Sequence, residues 1–175
     1  TEIETPTELE GGFEKIVDQV ATLIKKLISR SKVREGKLLG VGLAVAGLIH
    51  KENGYIEYSP VFDWRNVNLE SELSKRIDLP IFYDNVSRVT ALGELLYGAG
   101  QEHRNFISVN AGFGIGAGII MDGYRYFGSH GFTGELGHIV LDRESRYVGK
   151  DGIKGCLEAL SSGYGIAQIA KIRIG

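Results

Sequence analysis

The sequence predicts an α/β fold, and three observations predict it. Apolar residues recur at three- and four-residue steps over residues 13–31, which marks an amphipathic helix. Short apolar runs bounded by turn residues, at 38–49, 79–83 and 106–110, mark strands. The two kinds of segment then alternate along the chain, an order that layers helices on a sheet.

The elements follow in order. In the first helix Phe13, Ile16, Val17, Val20, Leu23, Ile24, Leu27 and Ile28 share one face. Lys25, Lys26 and Arg30 sit near its C-terminal end, where the helix dipole favours cations. Residues 38–49 (LLGVGLAVAGLI) are apolar and glycine-broken, the pattern of a buried strand running into a turn. Asn53-Gly54 is a hairpin signal, with 55–58 as the return strand. Residues 69–77 predict a short helix, and 79–83 a strand. Residues 87–97 predict a helix with Val89, Leu92, Leu95 and Leu96 as its apolar side. The strand at 106–110 leads into a glycine-rich strand–turn–strand, and Met121-Asp122-Gly123 turns into a further strand. Residues 156–172 predict a helix. No repeat or low-complexity tract interrupts the series.

Composition narrows the function. The 175 residues suffice for one domain or two small lobes. Apolar and charged fractions of 43% and 24% are ordinary for a soluble protein, and a net charge of -2 argues against a nucleic-acid surface within this segment. The single cysteine, Cys156, excludes an internal disulfide framework and makes the cytoplasm the expected compartment. No apolar run is long enough to span a membrane, and the acidic start TEIETPTELEGG is no signal peptide. The missing initiator Met predicts a fragment.

The chemistry concentrates in residues 112–138, GFGIGAGIIMDGYRYFGSHGFTGELGH. Alternating glycines let a backbone approach a ligand closely, or let a sheet corner pack tightly. Glu135 and His138 follow at three-residue spacing, and Glu158 lies further on in GCLE. Two carboxylates and a neutral imidazole can accept and donate to vicinal hydroxyls, as on a sugar; the alternative is a surface Glu pair and a satisfied histidine. His138 and Cys156 alone do not make a tetrahedral zinc site, since no His or Cys lies between them. Asp84 and Asn85 stand at a strand-to-helix junction, a place for ligand groups or, through Asp84 or Ser87, for a helix cap. Trp64, in Asp63-Trp64-Arg65, reads as a plug at the core edge rather than a sugar-stacking ring.

GFGIGAGIIMDG, GSHGFTGELGH and GCLEALSSG, in that order, resemble the ROK family of sugar kinases and sugar-responsive repressors. VGLAVAGLIHKENGYIEYSPVFDWRNVNL and LPIFYDNVSRVTALGELLYGAG are similar to the family's upstream segments, so the resemblance spans residues 38–162. It implies the two-lobed actin-like ATPase, ribonuclease-H-like α/β fold, with residues 1–175 as a partial, sugar-binding chain. It also implies sugar-binding roles for Asn85, Glu135, His138 and Glu158.

Departures from the family pattern carry as much as the match. The family's catalytic Asp falls on Val86, which has no lone pair to act as a base; Asp84 could replace it only through a local shift of the chain. A family Thr facing phosphate falls on Phe113, so Gly112, Phe113, Gly114 and Gly116 form a phosphate-loop remnant. Of the family's zinc-binding His and three Cys, only His138 and Cys156 remain, and no metal is expected. The family's first phosphate loop, the repressors' helix-turn-helix and the end of the second lobe have no counterpart in these residues. Retained recognition with lost chemistry predicts the effector region of a ROK regulator. It would bind a sugar or sugar derivative, contact DNA through a domain outside this chain, and form a homodimer or homotetramer, with no cofactor and no membrane contact. The alternatives are a glucokinase-like kinase using ATP and Mg with Asp84 as a displaced base, and a scaffold without a ligand.

Overall fold

A computed structural model describes residues 2–33, 35–50 and 54–174. The chain divides into two compact units, Thr1–Asp84 and Asn85–Gly175. The division falls at a strand-to-helix junction, between Asp84 and Asn85.

In the first unit the expected helix is α1 (Gly12–Ser31), which buries Ile16, Val17, Ala21 and Ile24. It ends at Lys32, whose left-handed backbone (φ 56) cannot continue the helix. The run at 38–49 forms two strands, β1 (Val41–Val45) and β2 (Leu48–Ile49). The break has a reason: Gly47 lies against the carbonyl of Tyr58, and Ser59 Oγ donates to the carbonyl of Ala46 at 2.6 Å. β2, β3 (Ile56–Ser59) and β4 (Trp64–Val67) form an antiparallel meander, with Tyr58 opposite both Leu48 and Arg65. Of the predicted Asn53-Gly54 turn, Asn53 lies outside the described residues.

The helix expected at 69–77 stops earlier, as α2 (Leu69–Ser74), capped by Asn68 accepting from Ser71 N at 2.8 Å. Its last turn tightens, with Arg76 N and Ile77 N both donating to the Leu73 carbonyl. β5 (Ile81–Asn85) pairs with β1. The core joins α1, α2 and both sheets through Ile16, Val17, Ile24, Ile56, Leu73 and Ile81. Trp64 plugs this core, stacked on Phe62 at 4.5 Å and edge-on to Phe13 at 5.0 Å.

The second unit begins with α3 (Val86–Tyr97). It lies on the antiparallel hairpin of β6 (Phe106–Ala111) and β7 (Ile115–Met121), paired from Phe106–Ile120 to Ala111–Ile115. Asp122 (φ 53) and Gly123 (φ 82) make the predicted turn into β8 (Tyr124–Arg125). One expectation fails here. The side of α3 that is buried is Ser87, Arg88 and Ala91, whereas Val89, Leu92 and Leu95 are half-buried and Leu96 is exposed. A Cβ at Gly116 would stand 2.6 Å from Ser87 Oγ, and one at Gly118 would overlap Ala91 Cβ and the Ser87 carbonyl. The glycines of β7 therefore bring the helix close to the sheet, and small residues on α3 are what fit there.

The single helix expected at 156–172 is two, α4 (Leu157–Ser161) and α5 (Gly163–Ile174). Ser162 is extended (ψ 164) and its buried hydroxyl accepts from Gly165 N at 3.0 Å, capping α5 and ending α4.

Candidate functional site

The four residues that the family resemblance marks for sugar binding all fall in the second unit. Three of them converge. Glu135 precedes the 3-10 turn Leu136–His138, His138 ends it, and Glu158 stands in the first turn of α4. Gly137, between the first two, is buried against the Ile115 carbonyl, and a Cβ there would lie 3.4 Å from Glu158 Cβ. Glu158 Oε2 in turn accepts from Ile115 N at 3.4 Å. The start of β7 thus holds both acidic segments side by side. Ala117 N donates to Gly134 O at 2.7 Å, which fastens the loop before Glu135 to the same strand.

Asn85 is the N-cap of α3: its Oδ1 accepts from Ser87 N at 2.9 Å and Arg88 N at 3.4 Å. The capping role expected of Asp84 or Ser87 therefore belongs to Asn85, because its side chain reaches the free N–H groups of the first turn. Asp84 is on β5 and Val86 opens α3, so no carboxylate follows the cap. Arg88, to which the sequence assigned no role, ties this turn to the loop that precedes Glu135. Its side chain is buried, it donates to the Gly131 carbonyl, and its guanidinium lies 5.6 Å from the Phe127 ring centre. The signal was its spacing, one residue after Ser87 and three before Ala91 on the sheet-facing side.

His138 is not a neutral imidazole. Its Nε2 stands 3.4 Å from Glu135 Oε2 and its Nδ1 2.6 Å from Asp151 Oδ2. The hydrogen bond to Glu135, and then the charges of Asp151 and Glu135, raise its pKa to about 9 against the opposing effect of burial. At neutral pH the ring is an imidazolium between two carboxylates, an array of fixed donors and acceptors suited to hydroxyl groups.

The donors do not fit the zinc that the family pattern implies. Cys156 is fully buried, and its Sγ accepts from Ala159 N at 3.4 Å as the cap of α4. His138 Nδ1 faces a carboxylate instead of a metal position. Among the described residues no three His, Cys, Asp or Glu side chains converge as a metal cluster. The segment is held by its backbone: Leu141 N and Asp142 N donate to Gly155 O, Gly155 N to Tyr147 O and Gly149 N to Ile153 O.

In the glycine-rich run, the Gly112 and Phe113 carbonyls accept from Gly163 N at 2.9 Å and Tyr164 N at 3.0 Å. The first N–H groups of α5 are thereby occupied. Phe113 meets Tyr164 edge-on at 6.0 Å, and Lys150 Nζ lies 4.5 Å from its ring centre. Gly114 runs beside Glu158, 2.7 Å from its Oε2 at the place a Cβ would take. Gly116, as above, packs on Ser87.

Known proteins resemble this chain over most of its length. The model of the ROK family matches residues 2–174. A glucokinase from Halalkalibacterium halodurans is 34% identical over 167 residues, covering 95% of this chain and 51% of the relative. A xylose repressor from Caldicellulosiruptor bescii is 33% identical over 158 residues, covering 90% of this chain and 39% of the relative. The crystal structure of a ROK family glucokinase from Streptomyces griseus in complex with glucose and AMPPNP superimposes with a TM-score of 0.80 at 29% identity, covering 98% of this chain and 52% of that one. The chain spans about half the length of the glucokinases it matches and less of the repressor. Its mixed α/β fold is that of the actin-like ATPase sugar kinases, and both repressors and kinases stand among its relatives: the chain belongs to the ROK family.

Proposed function

We propose that this chain is the sugar-binding effector region of a ROK transcriptional regulator of carbohydrate-utilisation genes. The observation that carries this reading is the cap on α3. Asn85 accepts from the N–H groups of Ser87 and Arg88, which supports a reading in which Val86, next in the chain, stands where the family pattern has its catalytic Asp. Moving Asp84 into that place would unmake the cap, a loss of about 1 kcal/mol before any strain. Without a base, phosphoryl transfer is slowed about 10²- to 10⁴-fold, whereas the acidic cluster around His138 is intact for recognition. The xylose repressor relative supports the regulatory role. The effector is a sugar or sugar derivative, DNA is contacted through a domain outside these residues, and the regulator acts as a homodimer or homotetramer in the cytoplasm. Effector binding works by favouring one of two arrangements of the full protein.

The kinase reading is kept by the glucokinase relatives, with ATP and Mg as co-substrate and Asp84 as base. An ATP-dependent phosphorylation assay on the full-length protein, across D-glucose, D-xylose and other sugars, separates the two. No turnover together with measurable sugar binding is the expected result. Turnover that Asp84→Asn abolishes would overturn the regulator reading.

A further inference from the structure

We propose that Asp151 is the positioning residue of the sugar site, doing for His138 what a bound metal does in the cysteine-bearing family pattern. The inference rests on the sugar-binding reading above. A carboxylate that faces one ring nitrogen of a histidine fixes the orientation of the ring and what the other nitrogen can do.

The geometry assigns both oxygens of Asp151. Oδ1 accepts from Ile153 N at 2.9 Å, which locks the side chain to its own turn. Oδ2 faces His138 Nδ1 at 2.6 Å, a contact bent away from the in-line hydrogen-bond direction. The side chain is only 13% exposed, so water competes poorly for it. The turn is itself rigid: Gly152 (φ 87) donates to Gly149 O at 3.0 Å, and Gly149 donates to Ile153 O at 2.9 Å. Gly149 has no room for a side chain, because a Cβ there would stand 2.8 Å from Asp151 Oδ1 and 2.9 Å from Cys156 Sγ. Asp151 thus stands beside His138, in the turn whose Gly149 packs next to Cys156.

The consequence reaches the ligand through His138. With Nδ1 held by Asp151, Nε2 is turned toward Glu135 Oε2 at 3.4 Å. The chain Asp151–His138–Glu135 then sets the angle at which the Glu135 carboxylate meets a sugar hydroxyl.

The test uses the full-length protein, with D-glucose and D-xylose as probes in calorimetry and nitrogen-edited NMR of the histidine rings. Asp151→Ala is expected to weaken sugar binding about 10- to 100-fold, and Asp151→Asn, which keeps an oxygen acceptor, to recover part of it. On a His138→Gln background Asp151→Ala should add little. In the sugar-free protein a protected Nδ1 proton of His138 should be present, and Asp151→Ala should remove it. Unchanged affinity and an unchanged His138 ring signal in Asp151→Ala would overturn the assignment. So would one equivalent of zinc in the purified protein whose chelation abolishes sugar binding. If neither sugar binds the wild type, the sugar-binding reading fails with those probes, and the His138 ring signal alone decides whether Asp151 holds the ring.

Discussion

Helix α1 rests on the core of the first unit through Ile16, Val17, Ala21 and Ile24, whereas α3 rests on the sheet of the second through Ser87, Arg88 and Ala91. Both are amphipathic in sequence, yet only α1 buries the stripe that its apolar residues define. In the first unit, branched aliphatic side chains fill the space between helix and sheet. In the second, Gly116 and Gly118 remove that space, and opposite these two glycines the helix backbone comes down onto Ser87 and Ala91. Burial by filling and burial by close approach leave different marks in a sequence, because the second depends on side chains that are absent.

The comparison can be broken most sharply by cutting one leucine from each unit. Leu73 is fully buried in the first core, so Leu73→Ala should cost about 2–5 kcal/mol in urea unfolding. Leu96, on the stripe that α3 does not bury, is 49% exposed, and Leu96→Ala should stay within about 0.5 kcal/mol. A large loss at Leu96 would restore the stripe as the packing face. The converse test is Gly118→Ala. A methyl group there overlaps Ala91 and the Ser87 backbone, so about 1–3 kcal/mol should be lost. A stabilised Gly118→Ala protein, as ordinary strand propensity would give, would contradict close approach.

Smaller effects sharpen the polar side of the second unit. Asn85→Ala removes the acceptor for Ser87 N and Arg88 N and should lower stability by about 1 kcal/mol, measured by thermal unfolding, while Asn85→Asp should restore most of it. The same unit should also show a pH dependence. His138 has a folded pKa of about 9, above its ordinary 6.5, so it binds its proton more tightly in the folded state. Its stabilising contribution is complete below pH 6.5 and is lost as pH rises toward 9. The urea midpoint should fall over that window, and His138→Gln should flatten the fall. A midpoint that rises from pH 6.5 to 9 in the wild type alone would reverse the assignment of charge.

Much of the fold was legible in the chain. The three- and four-residue steps of α1, the strand of β6 and the Asp122-Gly123 turn all appear where the pattern puts them, because each is governed by neighbours a few residues away. Helix ends were less legible. Ser162 divides α4 from α5 through one hydroxyl on Gly165 N, a contact that periodicity does not register. At the site, the spacing of Glu135 and His138 and the family pattern brought forward residues that the structure places near one another. They did not reveal Arg88 on the Gly131 carbonyl, or Asp151 on His138, since these partners are 43 and 13 residues apart.

The sequence by itself determined the α/β order, the amphipathic helix and the glycine-rich hairpin, because these are properties of residue type and local spacing. Only the tertiary structure decided which face of α3 is buried, that Asn85 is a cap, and that His138 carries a charge. Each of those depends on atoms distant in the chain meeting at a few ångströms, where sterics and electrostatics act and sequence separation has no effect.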